Sequence, residues 1–210
     1  MFALVEDGSI TRYFNGKRGF TLGDNQYPKA VFTLWTKSER EAIGIYEIEM
    51  DNSKRKDDQW YINTDVTYSF GSGKVTGAYG DATAKPHANV NWTQDEIDNK
   101  EAPDGTDTNT VRREGLKTIL IRKVKKQANQ LLSETDWYVT RKTEKSTAIP
   151  SNITTWRNGI RSKQAAMETS ITNASDTPAL ETLYTYVNTA DEGDPPVMER
   201  PLGEFPELGS

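Results

Sequence analysis

The stretch VRREGLKTILIRKVKKQANQLL, residues 111–132, decides the fold of the second half of the chain. Apolar side chains recur in it every three or four residues, the spacing that places them on one face of an α-helix, while Arg and Lys occupy the other faces. The apolar face consists of Leu116, Ile119, Leu120, Val124, Ala128, Leu131 and Leu132. The sequence therefore predicts an amphipathic helix that packs against another element.

A second helix is predicted from about residue 151 to about residue 173. Pro150 favours a helix start here, because a proline at the beginning of a helix sacrifices no intrahelical hydrogen bond. The apolar stripe of this helix consists of Ile153, Trp156, Ile160, Met167 and Ile171. Together the two helices are expected to form a helical hairpin over residues 110–175.

The segment that joins the two helices, SETDWYVTR at residues 133–141, is rich in aromatic side chains. We expect it to form an aromatic turn that folds back and packs against the helices. Trp137 of this turn and Trp156 of the second helix are then predicted to share a small core.

Residues 1–92 are predicted to form a small β-rich domain. Two hairpins are expected because strand-like runs flank Glu-Asp-Gly-Ser and Gly-Ser-Gly steps, which favour turns. The first hairpin pairs Phe2–Val5 with Ile10–Phe14, and the second pairs Tyr61–Phe70 with Lys74–Tyr79.

Two further strands are predicted between these hairpins, at Val31–Trp35 and Ile45–Met50. The Thr-Lys-Ser-Glu sequence at residues 36–39 has the form of a capping box, which marks the start of a helix. A short helix is therefore expected to follow, ending near Gly44, since glycine readily adopts the left-handed conformation that closes a helix.

The remaining segments are predicted to be acidic and mostly irregular. Residues 93–109 have little to bury and are expected to be an acidic linker that separates two domains. A short helix is expected at Ala179–Val187 within an acidic tail, residues 176–210, whose end is extended because its prolines cannot continue a helix. The predicted class is α+β: a small β-rich domain, a helical hairpin and an extended acidic tail.

Charge is distributed unevenly along the chain, although the net charge is only −5. Residues 110–145 carry ten basic and four acidic side chains, a net of +6, whereas residues 176–210 carry eight acidic and one basic, a net of −7. The basic helix face is a candidate interaction surface formed by Arg122, Lys123, Lys125 and Lys126. It is expected to be solvated or to dock an acidic segment of the same chain or a neighbouring subunit, and nucleic acid is the less favoured partner.

The sequence contains few of the residue types that usually carry catalysis or bind cofactors. There is no cysteine, and His87 is the only histidine, so neither a thiolate site nor a histidine-based metal site or triad is predicted. We expect no enzyme activity, no cofactor, no metal, no export signal and no membrane span. A glycan platform is a further alternative, carried by aromatic side chains of the β-rich domain: Trp35, Tyr46, Trp60, Tyr61, Tyr68 and Phe70.

Residues 124–141, the Ala-Ile-Pro link at 148–150, and the Trp156-Arg157-x-x-x-Arg161 element together resemble a module of tail-fibre assembly-type and tail proteins of bacteriophages. In that module a basic helix ends in a Thr-Asp-Trp turn, and a short link leads to a helix that carries an aromatic-Arg-x-x-x-Arg element. The resemblance implies a second candidate interaction set, formed by Trp137, Tyr138, Arg141, Trp156, Arg157 and Arg161.

The β-rich domain is similar, more loosely, to small tail proteins of marine phages, through the stretch Leu34–Tyr46. These resemblances imply a phage tail context. The extended acidic tail and the basic helical hairpin favour a non-enzymatic structural component that is assembled in the host cytoplasm and stays in the virion, because a tail docked in an adjacent subunit suits a permanent assembly. Its expected partners are other tail proteins and copies of itself in a symmetric trimer or hexamer. The alternatives are a tail-fibre assembly chaperone that is absent from the virion and, less favoured, an adhesin for host glycans.

Overall fold

Strands dominate the first part of the chain and helices dominate the remainder, so the predicted α+β class is confirmed. The computed structural model describes residues 1–209, which divide into two units between Thr83 and Ala84. The elements of the first unit are β1 (Phe2–Glu6), β2 (Ser9–Phe14), β3 (Phe20–Leu22), β4 (Asn25–Tyr27), a 3-10 helix (Lys29–Phe32), α1 (Lys37–Ala42), β5 (Ile45–Asp51), β6 (Tyr61–Ile62), β7 (Val66–Gly71) and β8 (Lys74–Tyr79), with β9 (Thr83–Ala84) at its end.

A five-stranded sheet with the strand order β2-β1-β5-β8-β7 organises the first unit. Neighbouring strands are antiparallel except β5 and β8, which are parallel. Because side chains alternate between the two faces of a strand, β1 contributes to two separate cores. One contains Phe2, Leu4, Phe14, Phe20, Val31, Phe32 and Ile45, and the other contains Ala3, Ile48 and Val75.

The predicted hairpin at the start of the chain is confirmed as β1–β2, and the second is confirmed as β7–β8. The first strand of the second hairpin begins at Val66 and not at Tyr61, because Tyr61–Ile62 form the separate strand β6. The capping box also forms, since the Thr36 hydroxyl accepts from the Glu39 amide while the Glu39 carboxylate accepts from the Thr36 amide. The predicted strand Val31–Trp35 is wrong, because this stretch lies in the 3-10 helix and the turn after it. A short apolar run fits a helical turn as well as a strand. Here the Ala30 carbonyl accepts hydrogen bonds from the amides of Thr33 and Leu34, as in a helical turn.

The second unit is built around two long helices. Its elements are β10 (Val90–Asn91), α2 (Gln94–Asp98), β11 (Val111–Arg113), α3 (Leu116–Ser133), α4 (Asp136–Lys145), α5 (Ser151–Asn173), α6 (Thr177–Tyr184), β12 (Val187–Asn188) and β13 (Met198–Glu199). Helices α3 and α5 pack against each other, as predicted, and α3 buries Leu116, Leu120, Val124 and Ala128, one residue per turn. Short antiparallel pairs form between β10 and β11 and between β12 and β13.

The start of α3 differs from the prediction, because residues 111–113 form β11 and the helix begins only at Leu116. The preceding chain caps the helix. Asn89 Oδ1 accepts from the Gly115 amide at 2.9 Å, and the Pro86 carbonyl accepts from the Leu116 amide at 3.0 Å. The segment before α2 therefore belongs to the helical unit.

The expected aromatic turn is also wrong in detail, because residues 136–145 form the helix α4. Trp137 is 51% exposed, whereas Trp156 is buried against Ala128 and Ile160. The two tryptophans therefore share no core. Asp136 in the first turn and Lys145 in the last turn suit the helix dipole, which favours an acid at the start and a base at the end.

The extended acidic tail is not confirmed. After α6, the strands β12 and β13 form a small hairpin, and the chain then returns to the helices. Leu202 is 3% exposed, and Phe205 packs against the α3–α5 core. The last segment therefore packs against the helices of the same chain through apolar contacts.

Candidate interaction surface

A buried arginine joins the two halves of the module that the sequence singled out. The Arg157 side chain donates to the Leu132 carbonyl at 2.8 Å and to the Thr135 hydroxyl at 2.7 Å, both through Nη1. Its Nη2 donates to Asp136 Oδ1 at 2.9 Å. Arg157 is only 7% exposed, so one guanidinium fixes the end of α3 and the start of α4 to α5.

Trp156, the neighbour of this arginine, fixes the C-terminal segment. Its indole Nε1 donates to the Pro206 carbonyl at 2.8 Å, while its ring lies in the core beside Ala128. Buried indole nitrogens usually find an acceptor, and here the acceptor comes from fifty residues further along the chain. Trp156 and Arg157 are therefore positioning residues inside the unit: Trp156 lies in a core, as its place in the apolar stripe predicts, and the contacts of Arg157 are made within the chain.

A second polar cluster holds the C-terminal segment where it leaves β13. Glu204 accepts from the Tyr186 hydroxyl at 2.5 Å and from Arg200 Nη2 at 2.7 Å. The hydrogen bond to Glu204 raises the pKa of Tyr186 above its ordinary value of 10.0. The guanidinium of Arg200 also lies over the rings of Tyr184 and Tyr186. Burial raises the pKa of Tyr184 from the same ordinary value.

Helix α4 presents the remaining aromatic residues of the module. The rings of Trp137 and Tyr138 stack with their centroids 3.7 Å apart, and the Arg141 guanidinium lies 4.8 Å from the Trp137 ring centroid. No residue of α4 is buried. The Nε atom of Arg141 is screened from water and has no hydrogen-bond partner among residues 1–209. Trp137 is exposed while Tyr138 and Arg141 are half-buried, so these three residues form a partly exposed aromatic and cationic patch.

The basic face of α3 is only partly neutralised. Arg122 pairs with Glu114, and Lys125 lies 3.4 Å from Glu168 of α5. Lys123 and Lys126 are exposed and have no ion-pair partner among residues 1–209. In this part of the chain the tail carboxylates do not pair with the basic face, so the predicted complementarity between tail and helix is not used within one copy.

Arg161 is exposed, one turn of helix after Arg157 on α5. The side-chain hydrogen bonds that link α5 to the α3–α4 junction come from Arg157. Of the predicted set, Trp137, Tyr138 and Arg141 lie together on α4, and Trp156 and Arg157 lie inside.

Sequence reasoning missed the hairpin β12–β13 as a surface feature. Its large side chains are about half exposed: Tyr186, Val187, Val197 and Met198. These residues form two adjacent apolar pairs separated by an acidic loop, with no alternation of apolar and polar positions, so periodicity alone could not distinguish the hairpin from an irregular tail.

The side chains that could bind a metal ion do not cluster in the part of the chain that the structure describes. Within residues 1–209, no three His, Asp or Glu side chains lie close enough together to hold a metal ion, and no helix is long and apolar enough to cross a membrane. His87 contributes its backbone carbonyl, which accepts from the Lys117 amide at the start of α3. No family model, no curated protein and no solved structure matches this chain.

Proposed function

We propose that this chain is a non-enzymatic structural subunit of a bacteriophage tail, in a fibre, a baseplate or a part associated with the tail tube. Its partners would be other tail proteins and further copies of itself. It would be assembled in the host cytoplasm and retained in the virion.

The contact made by Arg157 carries the proposal. The residues on which the phage resemblance depends are far apart in sequence, yet Thr135 and Asp136 of the Thr-Asp-Trp stretch meet Arg157 of the Trp-Arg element in one hydrogen-bonded junction. The arrangement gives these residue types a common role, because their hydrogen bonds link the start of α4 to α5 and to the end of α3. The motif then acts as a scaffold that presents a helix.

A role in subunit contacts is supported by what this scaffold presents. The exposed large apolar side chains of the helical unit are concentrated on α4 and on the β12–β13 hairpin, next to unpaired charges. Apolar side chains surrounded by charged ones are typical of protein–protein interfaces.

The test is quantitative mass spectrometry of gradient-purified phage particles, with the infected-cell lysate as the comparison. A fixed copy number relative to the portal, at a multiple of the tail symmetry, is the expected result. Presence in the lysate together with absence from particles would refute the structural role and favour the assembly chaperone. Binding of the purified protein to host polysaccharide, with absence from particles, would instead favour the adhesin.

A further inference from the structure

The hairpin β12–β13 is an incomplete structure on its own. Residues 185–199 are exposed apart from Ala190, and the hairpin joins only two short strands. An isolated two-stranded hairpin is marginally stable in water and gains stability when its apolar side chains are covered. Val187 and Val197 are about half exposed on one face of the hairpin, and Met198 is about half exposed on the other face, where Tyr186 is held by Glu204. The hairpin thus exposes apolar side chains of the kind that another molecule usually covers.

The tip of this hairpin is strongly acidic. Asp191, Glu192 and Asp194 lie in its turn, all exposed, and none has an ion-pair partner among residues 1–209. Three neighbouring carboxylates without a cation repel one another, so a basic surface that approached them would remove this repulsion.

Helix α4 has the complementary composition. Val139 is an exposed apolar residue, and the exposed cations Lys142 and Lys145 follow it at three-residue spacing, which places all three on one face of the helix. Trp137, two residues before Val139, lies on a different face. Arg141 lies over the Trp137 ring, and within residues 1–209 none of the three cations has a carboxylate partner. Apolar side chains flanked by basic ones match a hairpin whose apolar side chains are flanked by acidic ones.

We propose that the β12–β13 hairpin of one copy docks on helix α4 of a second copy. Both complementary surfaces belong to the same unit of the same chain and remain unused within it, which is why the second copy is the favoured partner. The contact joins two different patches, so it is head-to-tail, and repetition produces a closed ring or a filament. This inference deepens the proposed function and rests on its contacts between copies of the chain, and it is tested on the purified protein alone.

The experiment uses paired charge reversals in the full chain. The hairpin variant is Glu192→Lys with Asp194→Lys, and the helix variant is Lys142→Glu with Lys145→Glu. A matched control, Glu101→Lys with Asp104→Lys, reverses two exposed acids elsewhere in the same unit. Sedimentation velocity over a range of protein concentrations gives the association constant, and circular dichroism shows that each variant is folded.

The wild type and the control are expected to self-associate to the same degree. Each charge-reversed variant alone should associate more than about tenfold more weakly, because like charges then face each other. Mixing the two variants should restore association, since the reversed hairpin meets the reversed helix. A monomeric wild type, or variants that associate as the wild type does, would overturn the proposal.

Cysteine cross-linking gives a second measurement, because the chain contains no native cysteine. Proteins carrying Val197→Cys or Val139→Cys, one in the hairpin and one on α4, should form a disulfide with each other when mixed and not with themselves. Self-cross-linking of Val197→Cys at the same rate would indicate a symmetric hairpin–hairpin contact and contradict the proposal. Neither result alters the particle measurement, so failure here is distinguishable from failure of the tail assignment.

Discussion

Replacing Arg157 by alanine is expected to destabilise the helical unit by about 3–4 kcal/mol. The Leu132 carbonyl and the buried Thr135 hydroxyl each lose a hydrogen bond to a charged donor, which is worth about 1.5 kcal/mol apiece. The Asp136 carboxylate adds less than about 1 kcal/mol, because its side chain is 61% exposed and therefore well solvated. Such a loss is a large part of the stability of an ordinary domain.

Urea unfolding followed by circular dichroism at 222 nm is the suitable assay, because the long helices lie in the affected unit. Arg161→Ala, on the same helix but exposed, is the matched control and should change the free energy of unfolding by no more than about 0.5 kcal/mol. Arg157→Lys should be intermediate, since lysine keeps the charge but lacks the planar fork. A loss of less than about 1 kcal/mol in the free energy of unfolding for Arg157→Ala, or one no greater than that of the control, would refute a stabilising role for this arginine.

Three further changes test other contacts. Trp156→Phe removes the indole donor to the C-terminal segment and should speed amide hydrogen exchange in residues 200–209, with a loss of about 1 kcal/mol in unfolding free energy; unchanged exchange would contradict the contact. The backbone amide of Thr93 holds the pKa of Glu96 below its ordinary value of 4.5, so this carboxylate stabilises the fold above pH 4.5 and the stabilisation is lost as the pH falls through the folded-state pKa. An NMR titration of Glu96 checks the direction, and Glu96→Gln should remove this part of the pH dependence. Gly44→Ala should destabilise the first unit more than Gly73→Ala, because both glycines have positive φ but only at Gly44 would the added Cβ approach a backbone oxygen, at 2.8 Å; equal thermal shifts would count against this.

The elements that the sequence predicts best are those with long or paired local patterns. Helix α5 was predicted with its observed limits, and both hairpins of the first unit were predicted from turn residues between strand-like runs. Helix α4 was not, since its apolar side chains are few and exposed, and periodicity recognises a helix through the face that it buries. The Val31–Trp35 run shows the related ambiguity of short apolar stretches.

The internal roles of the candidate residues were harder to predict. Arginine is rarely buried, and only the fold brings Arg157 to Thr135, so sequence alone placed it on a surface. The return of the chain to Trp156 depends on Phe205 and Pro206, which lie in a segment that reads as acidic and proline-rich. Contacts between residues far apart in sequence leave no periodic signal.

The cap on α3 has a practical consequence for anyone who cuts or fuses this chain. Asn89 and Pro86 satisfy the first amides of the helix, although they precede it by more than one short element. A truncated protein that begins near residue 110 would contain both long helices but lack the residues that cap the N-terminus of α3. A protein that begins near residue 84 would keep this cap. Gene fusions and exchanges between related coding sequences should accordingly preserve the helical unit when their junction lies at residues 83–84 and damage it when the junction lies between residues 93 and 109.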